Sequence, residues 1–342
     1  MEIIEHLQGI KKIEPYDGDA IENDEEYVFD FSEVRGQQTV RRALEVSVCG
    51  AHNLLISGTA GSGKSMMAKR IPSILPPMSM EEMIESTAIH SVAGLTGKEE
   101  PLLRKRPFRS PHHTVSASGV AGGGKWIKPG EMSLAHNGVL FLDEFPEFRR
   151  EVLESLRQPM EDRVVTVTRA SGTFTYPSDF MLVCAMNPCK CGWHGHSSGK
   201  CSCSPESVNN YLSRISGPIV DRIDIFIDAP PVDYAELTSY GKAEASSVIR
   251  ERVVVARERQ MRRQGVVNAN MTEEMIRAYC TVNGTVKDLL QSAYEKYSLS
   301  ARSYNKVLKV SRTIADMEGA DEIAFEHLAE AVRYKNSRLL KV

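Results

Sequence analysis

Eight consecutive residues constrain this chain more than any other stretch: Gly58, Thr59, Ala60, Gly61, Ser62, Gly63, Lys64 and Ser65. They fit the spacing G-x-x-x-x-G-K-[ST]. An apolar run, NLLIS at 53–57, precedes them, and a helical pattern starts at about Ser65. A buried strand, a glycine-rich turn and a helix start in that order make an anion cradle, because glycines let successive backbone N–H groups approach a phosphate closely. Lys64 is then placed to reach the β- and γ-phosphates of a nucleotide, and the Ser65 hydroxyl to ligate Mg²⁺. The cradle is counted through the next position, Met66. A merely flexible glycine loop is the competing reading, and the coincidence of motif, strand and helix argues against it.

A second run, GVLFL at 138–142, ends in Asp143 and Glu144. A strand buried in a sheet would deliver both carboxylates at its carboxyl end, beside the phosphates. Asp143 would hold Mg²⁺ and Glu144 would polarise the attacking water. Alone, such a strand reads better as one that ends in a solvated acidic turn; beside the phosphate cradle, catalysis is favoured. A further glycine run, Gly119 to Gly124 followed by Lys125 and Trp126, mimics the cradle but lacks the terminal hydroxyl, and is read as a mobile loop.

Further apolar runs at 180–186 (FMLVCAM) and 223–227 (IDIFI), separated by helical stretches, predict a parallel sheet covered by helices on both faces. After about residue 233 strands vanish, and helices are expected at 246–263, 286–299, 300–318 and 324–335, with Gly319 as a stop. Residues 1–30, acidic and weakly patterned, read as a tail or linker. The layout is therefore a tail, an α/β nucleotide domain at 31–232 and an all-helical lid domain at 233–342. No run approaches a membrane span, and the N-terminus lacks a secretion signal, so the expected location is the cytoplasm. With 42 basic against 45 acidic residues, a wholesale basic surface is absent and any contact with nucleic acid must be local.

Four of seven cysteines crowd into fifteen residues: Cys189, Cys191, Cys201 and Cys203, with His194 and His196 between them. Four thiolates suit a closed tetrahedral Zn²⁺ site, which is structural rather than catalytic; the C-x-C spacing also leaves room for a histidine in place of one cysteine. Free thiols in a flexible loop are the bland alternative.

The cradle, the Asp-Glu strand and the following FMLVCAMN resemble the AAA+ superfamily. That resemblance implies a P-loop NTPase fold in which Asn187 senses the γ-phosphate. The series GQQTVRRALEVSVCG, RPFRSPHHTVSASGVAGGG, PGEMSLAHNGVLFLDEFPEF, CAMNPCKCG and GPIVDRIDI is similar, more narrowly, to the magnesium-chelatase-like competence proteins, the ComM/YifB family. The resemblance runs from about Phe31 to the C-terminus. It implies that Arg222 is an arginine finger reaching a neighbour's ATP and that Arg302 is a second sensor arginine, so that the active form is a ring, usually a hexamer. Each of these arginines could instead be a helix cap or a surface pair. Family members usually carry an N-terminal domain similar to the Lon protease fold; only its tail is expected in residues 1–30. The family also carries a cysteine-rich insertion after the sensor strand, here about 188–204.

Residues 163–177 read as a hairpin turning near Gly172, resembling the pore hairpin of AAA+ helicases. Arg163, Arg169, Lys125 and Lys128 are candidate phosphate contacts. Arg104, Lys105, Arg106 and Arg109, followed by His112 and His113, form a second basic patch, its histidines read as loop packing rather than metal ligands. The arginines of 250–263 read as a solvated helix face. Two functions remain open: an ATP-driven DNA branch-migration helicase or translocase, and a chelatase-type or remodelling ATPase acting on a protein partner.

Overall fold

The computed structural model describes residues 2–13, 27–97, 101–124, 127–169, 172–231 and 243–335. Its strands are β1 (Leu54–Gly58), β2 (Phe108–Arg109), β3 (Gly122–Gly123), β4 (Lys128–Pro129), β5 (Val139–Leu142), β6 (Val164–Arg169), β7 (Gly172–Pro177), β8 (Met181–Met186) and β9 (Ile225–Ala229). Five of them form one parallel sheet in the order β2-β5-β8-β1-β9. The fold is thus α/β, with a parallel sheet and a helical C-terminal part, as the apolar runs indicate.

Successive strand residues point to opposite faces, and this sheet buries both. Leu54, Ile56, Phe141, Val183 and Ile225 enter one core with the helices Gln38–Gly50, Ser246–Gln264, Ala301–Met317 and Phe325–Arg333. Leu55, Leu140, Leu142, Leu182 and Phe226 enter a second core with the helices Arg150–Ser155 and Pro205–Leu212 and with Val165 and Val167 of the hairpin. Burial on both sides explains why these strands read as unbroken apolar runs rather than alternating ones. Each large side chain fully buried here contributes about 1.5–3 kcal/mol.

Several expectations need correcting. The glycine run after residue 116 is a short helix (Ala117–Ala121) with Val120 fully buried, leading into the paired β3 and β4. Lys125 and Trp126 lie outside the described residues. The end of the supposed tail is built into the fold: the Asp30 carboxylate accepts from the backbone N–H of Ser32 and Ser246. The arginine-rich helix Ser246–Gln264 is not a solvated face throughout. Arg257 is pushed down to about 10 by burial and donates to the backbone oxygens of Val48 and Cys49, near the end of helix Gln38–Gly50. Arg263 forks onto Asp316. An additional helix, Glu273–Tyr279, precedes the three expected after it.

The amino edge of the sheet is tied to the C-terminal helices by Asp224, immediately before β9. Its carboxylate accepts from Asn53 N–H at 2.9 Å and meets Lys306 Nζ at 2.9 Å, with His52 Nδ1 at 3.8 Å. His52 in turn pairs with Thr313 Oγ1 at 2.7 Å. Burial would raise the Asp224 carboxyl, but Lys306 and His52 outweigh it and hold the group far below the usual carboxylate range. Asp224→Asn is expected to cost about 3–5 kcal/mol at pH 7, as for a broken buried pair. The wild-type advantage is complete above the ~3.9 of an unfolded aspartate. It shrinks as the pH falls from there toward the lowered native value. Urea midpoints measured at several pH values check this, and equal midpoints at pH 7 would remove Asp224 as the tie.

Candidate active site

Register places the candidate residues on one edge. Ser57 stands opposite Met186 and Leu142 opposite Cys184, so β1, β5 and β8 reach their carboxyl ends nearly level. The glycine loop leaves β1 there, Asp143 and Glu144 follow β5, and Asn187 follows β8. Open parallel sheets bind ligands at this edge.

Gly61 and Gly63 both take positive φ, 80° and 82°, a region that favours glycine. At Gly61 a Cβ would meet nothing within 4 Å, so the loop stands open on that side. Lys64 is 7% exposed. Its Nζ lies 2.8 Å from the carbonyl oxygens of both Gly58 and Thr59, and 3.1 Å from Asn187 Oδ1. Burial lowers the lysine below its ordinary value, and the charge of Asp143 opposes that shift. Lysine, asparagine and aspartate therefore face one region. Ser65 lies in the first turn of the helix Lys64–Ala68 that follows. Open loop, buried ammonium and nearby carboxylates fit a magnesium-bound triphosphate, with Ser65 and Asp143 as the residues that would hold the ion.

Glu144 has φ 52° and ψ 43°, a left-handed backbone that turns it out of the strand. Its Oε2 lies 3.1 Å from His113 Nδ1, and its own N–H donates to Asp143 Oδ1 at 2.9 Å. His113 was read as loop packing; here it faces the carboxylate assigned to polarise water, and its ring lies 4.1 Å from that of His112. Tyr211 was also missed. Burial pushes its hydroxyl up, and it lies close enough to the backbone of Asn187 to bond with it.

The four cysteines converge. All four sulfurs lie within 4.8 Å of one another, with Cys189 to Cys191 at 3.3 Å, Cys191 to Cys201 at 3.7 Å and Cys189 to Cys201 at 3.9 Å. A tetrahedral metal with bonds of about 2.3 Å needs sulfurs roughly 3.8 Å apart, so the donor set fits. The N–H of Trp193 and the thiol of Cys189 hold the Cys191 thiol down to about 6, while the thiols beside them push Cys201 and Cys203 up. His194 Nδ1 stands at 4.0 Å from Cys201, at the rim, while His196 bonds Ser198 instead.

Arg222 and Arg302 do not join this site. Arg222 precedes β9, and its carbonyl accepts from Asn53, just before β1. A five-residue strand, about 16 Å long, separates that point from the glycine loop. There Arg222 Nη2 pairs with Glu161 at 2.6 Å, and Arg302 pairs with the other oxygen of the same carboxylate. Arg222 Nε is buried without a partner among the described residues. The two arginines line a cavity of about 320 Å³ with Arg163, Arg257, Lys306 and Lys309.

The remaining basic candidates divide. Arg163 sits at the base of the hairpin, 3.8 Å from Asp179, and Lys128 donates to the Ala93 carbonyl oxygen. Arg106 and Arg109 fork onto Glu82 and Glu131, so the second basic patch is largely internal pairing. Among the described residues, no helix is long and apolar enough to cross a membrane.

Comparison with known proteins bears on the whole of this arrangement. Residues 30–237 match the family model for magnesium chelatase, subunit ChlI, and residues 243–335 match the ChlI C-terminal model. The chain is 42% identical over 307 residues to the uncharacterized protein YifB of Salmonella typhimurium, covering 90% of this chain and 60% of that protein. Identity with the competence protein ComM of Haemophilus influenzae is 40% over 342 residues, 98% of this chain and 66% of the relative. With the magnesium-chelatase 67 kDa subunit of Heliobacterium mobile it is 24% over 230 residues, 58% of this chain and 34% of that protein. The chain spans about 60–66% of the length of the first two relatives. These matches and the parallel sheet with its helical C-terminal part together place the chain in the magnesium-chelatase-like family of AAA+ proteins, alongside ComM and YifB.

Proposed function

We propose that this chain is a Mg²⁺-dependent ATPase that works as a ring on branched or single-stranded DNA in the cytoplasm. The observation that carries the ATPase part is the meeting of Lys64, Asn187 and Asp143 at one edge of the sheet. Lys64 would exchange some of its present oxygen partners for phosphate oxygens, and Asn187 would hold the end of the triphosphate. Bound Mg²⁺ supplies charge neutralisation on the phosphates. Glu144 accepts the hydrogen bond of the attacking water, with His113 on its Oε2 holding the carboxylate in place.

The opposite edge supports the ring. Arg222 and Arg302 are out of reach of the chain's own cradle, so they serve hydrolysis only if a neighbouring copy brings its cradle to them. A guanidinium placed against the transferring phosphoryl group is worth about 10³–10⁵ in rate. The DNA reading rests on the higher similarity to a competence protein than to a chelatase subunit, and on the β6–β7 hairpin with Arg163 and Arg169 on it. The cysteines hold a structural Zn²⁺ in this reading. The chelatase-type alternative shares the ATP site and differs only in its partner.

Purified protein is expected to hydrolyse ATP with Mg²⁺, and Glu144→Gln to lower turnover by about 100-fold or more; Lys64→Ala should lose nucleotide binding as well. A phosphate-release assay giving unchanged turnover in both variants would overturn the ATPase assignment. Arg222→Ala and Lys64→Ala are each expected to be inactive alone. Mixed together they should recover partial activity, because a cradle from one can face an arginine from the other; a mixture as inactive as its parts would count against the shared site. Forked or single-stranded DNA should raise turnover at low salt and lose that effect as salt rises. A rate indifferent to both DNAs would favour a protein partner instead.

A further inference from the structure

Between Asn187 and Ser204 the described chain contains no helix or strand, yet it touches the glycine loop at two separate points. Asn187 Oδ1 lies 3.1 Å from Lys64 Nζ. Gly192, next to Cys191, accepts the backbone N–H of Ala60 at 3.1 Å. That second contact is close: Gly192 has φ +83°, and a Cβ there would lie 3.1 Å from Ala60 Cβ. Gly192 N–H also donates to the Cys189 carbonyl oxygen at 3.0 Å, so the residue touching the loop sits inside the turn that presents two of the four sulfurs. The same segment walls a cavity of about 510 Å³ against Ser57, Gly58 and Thr59, with His194 and His196 on its side.

A coil of this length without ladder hydrogen bonds is held by whatever cross-links it, because each ordered residue costs about 1–2 kcal/mol of backbone entropy. Four sulfurs drawn from its two ends are the available cross-link. We infer that a metal bound by Cys189, Cys191, Cys201 and Cys203 sets the affinity of the phosphate loop for nucleotide, by holding Gly192 against Ala60. The metal site is then a clamp on the cradle as well as a brace for the insertion, and Gly192 is the positioning residue that transmits it. This inference rests on the glycine loop being a nucleotide site.

The experiment measures binding of a fluorescent ATP analogue to the intact chain in Mg²⁺, with zinc content by elemental analysis on the same samples. Zinc-loaded protein is expected to hold one ion per chain. Removing it with a chelator, then desalting, should weaken nucleotide binding about tenfold, the order of one lost hydrogen bond and some loop order; returning Zn²⁺ should restore it. Gly192→Ala keeps every thiol, so it should retain one zinc yet bind the analogue about tenfold more weakly. It carries the test if stripped protein unfolds, which circular dichroism reports. A Gly192→Ala protein with full zinc and wild-type affinity overturns the clamp, as does wild-type protein holding no zinc. Zinc-loaded wild type that fails to bind the analogue at all overturns the nucleotide site itself, a separate failure.

Discussion

Three parallel strands that end level with one another are the constraint on which this molecule depends. Because β8 lies between β1 and β5, hydrogen-bonded in register to both, the glycine loop, the asparagine and the acidic pair have nowhere to go but the same edge. The buried Lys64 ammonium then closes that edge chemically: an ammonium out of water must be satisfied, and it is satisfied by two carbonyls of its own loop and by Asn187. Shifting β8 by one residue would carry Asn187 about 3.3 Å along the sheet, away from the Lys64 ammonium it now meets at 3.1 Å.

The same sheet sends a different set of groups to its amino edge. Arg222, Arg302, Lys306 and Lys309 gather there around Glu161 and Asp224. In a single chain one carboxylate, Glu161, is shared between the two arginines and leaves a net positive charge there. A triphosphate brought by another copy would compete for the same guanidiniums with more charge. Only a cradle filled with triphosphate would present negative charge to the arginines of the amino edge, and it is in that form that a head-to-tail contact becomes complementary. Such a heterologous contact closes into a ring if its rotation permits.

The sheet and the cradle were legible in the sequence because each rests on local pattern. Doubly buried strands leave runs such as NLLIS and FMLVCAM, and a phosphate loop needs glycines at fixed spacing. Legibility failed where the partner lies far along the chain. The charges of Arg257 and Arg263 look like a solvated face until the carbonyls at the end of helix Gln38–Gly50 and the carboxylate of Asp316 are seen beside them. The two-residue β2 has no periodicity to detect. His113 gave no signal either, since nothing in SPHHT indicates that its second ring turns toward a glutamate 31 positions later.

That pairing sits at the carboxyl edge beside the cradle. Glu144 is delivered in a left-handed conformation, an uncommon backbone for a non-glycine residue, which turns it out of the line of the strand. One oxygen of its carboxylate is engaged by His113 while the side chain stays more than half exposed, and Lys64 is folded back on its own loop. Lys64, the group assigned to the phosphates, is thus satisfied internally. Nucleotide entry must therefore exchange existing hydrogen bonds for new ones rather than fill unsatisfied valences, and the net gain per contact is small. Contacts that stiffen the loop beforehand consequently weigh heavily in affinity. Gly192 against Ala60 is such a contact, made by a residue that contributes no atom to the chemistry.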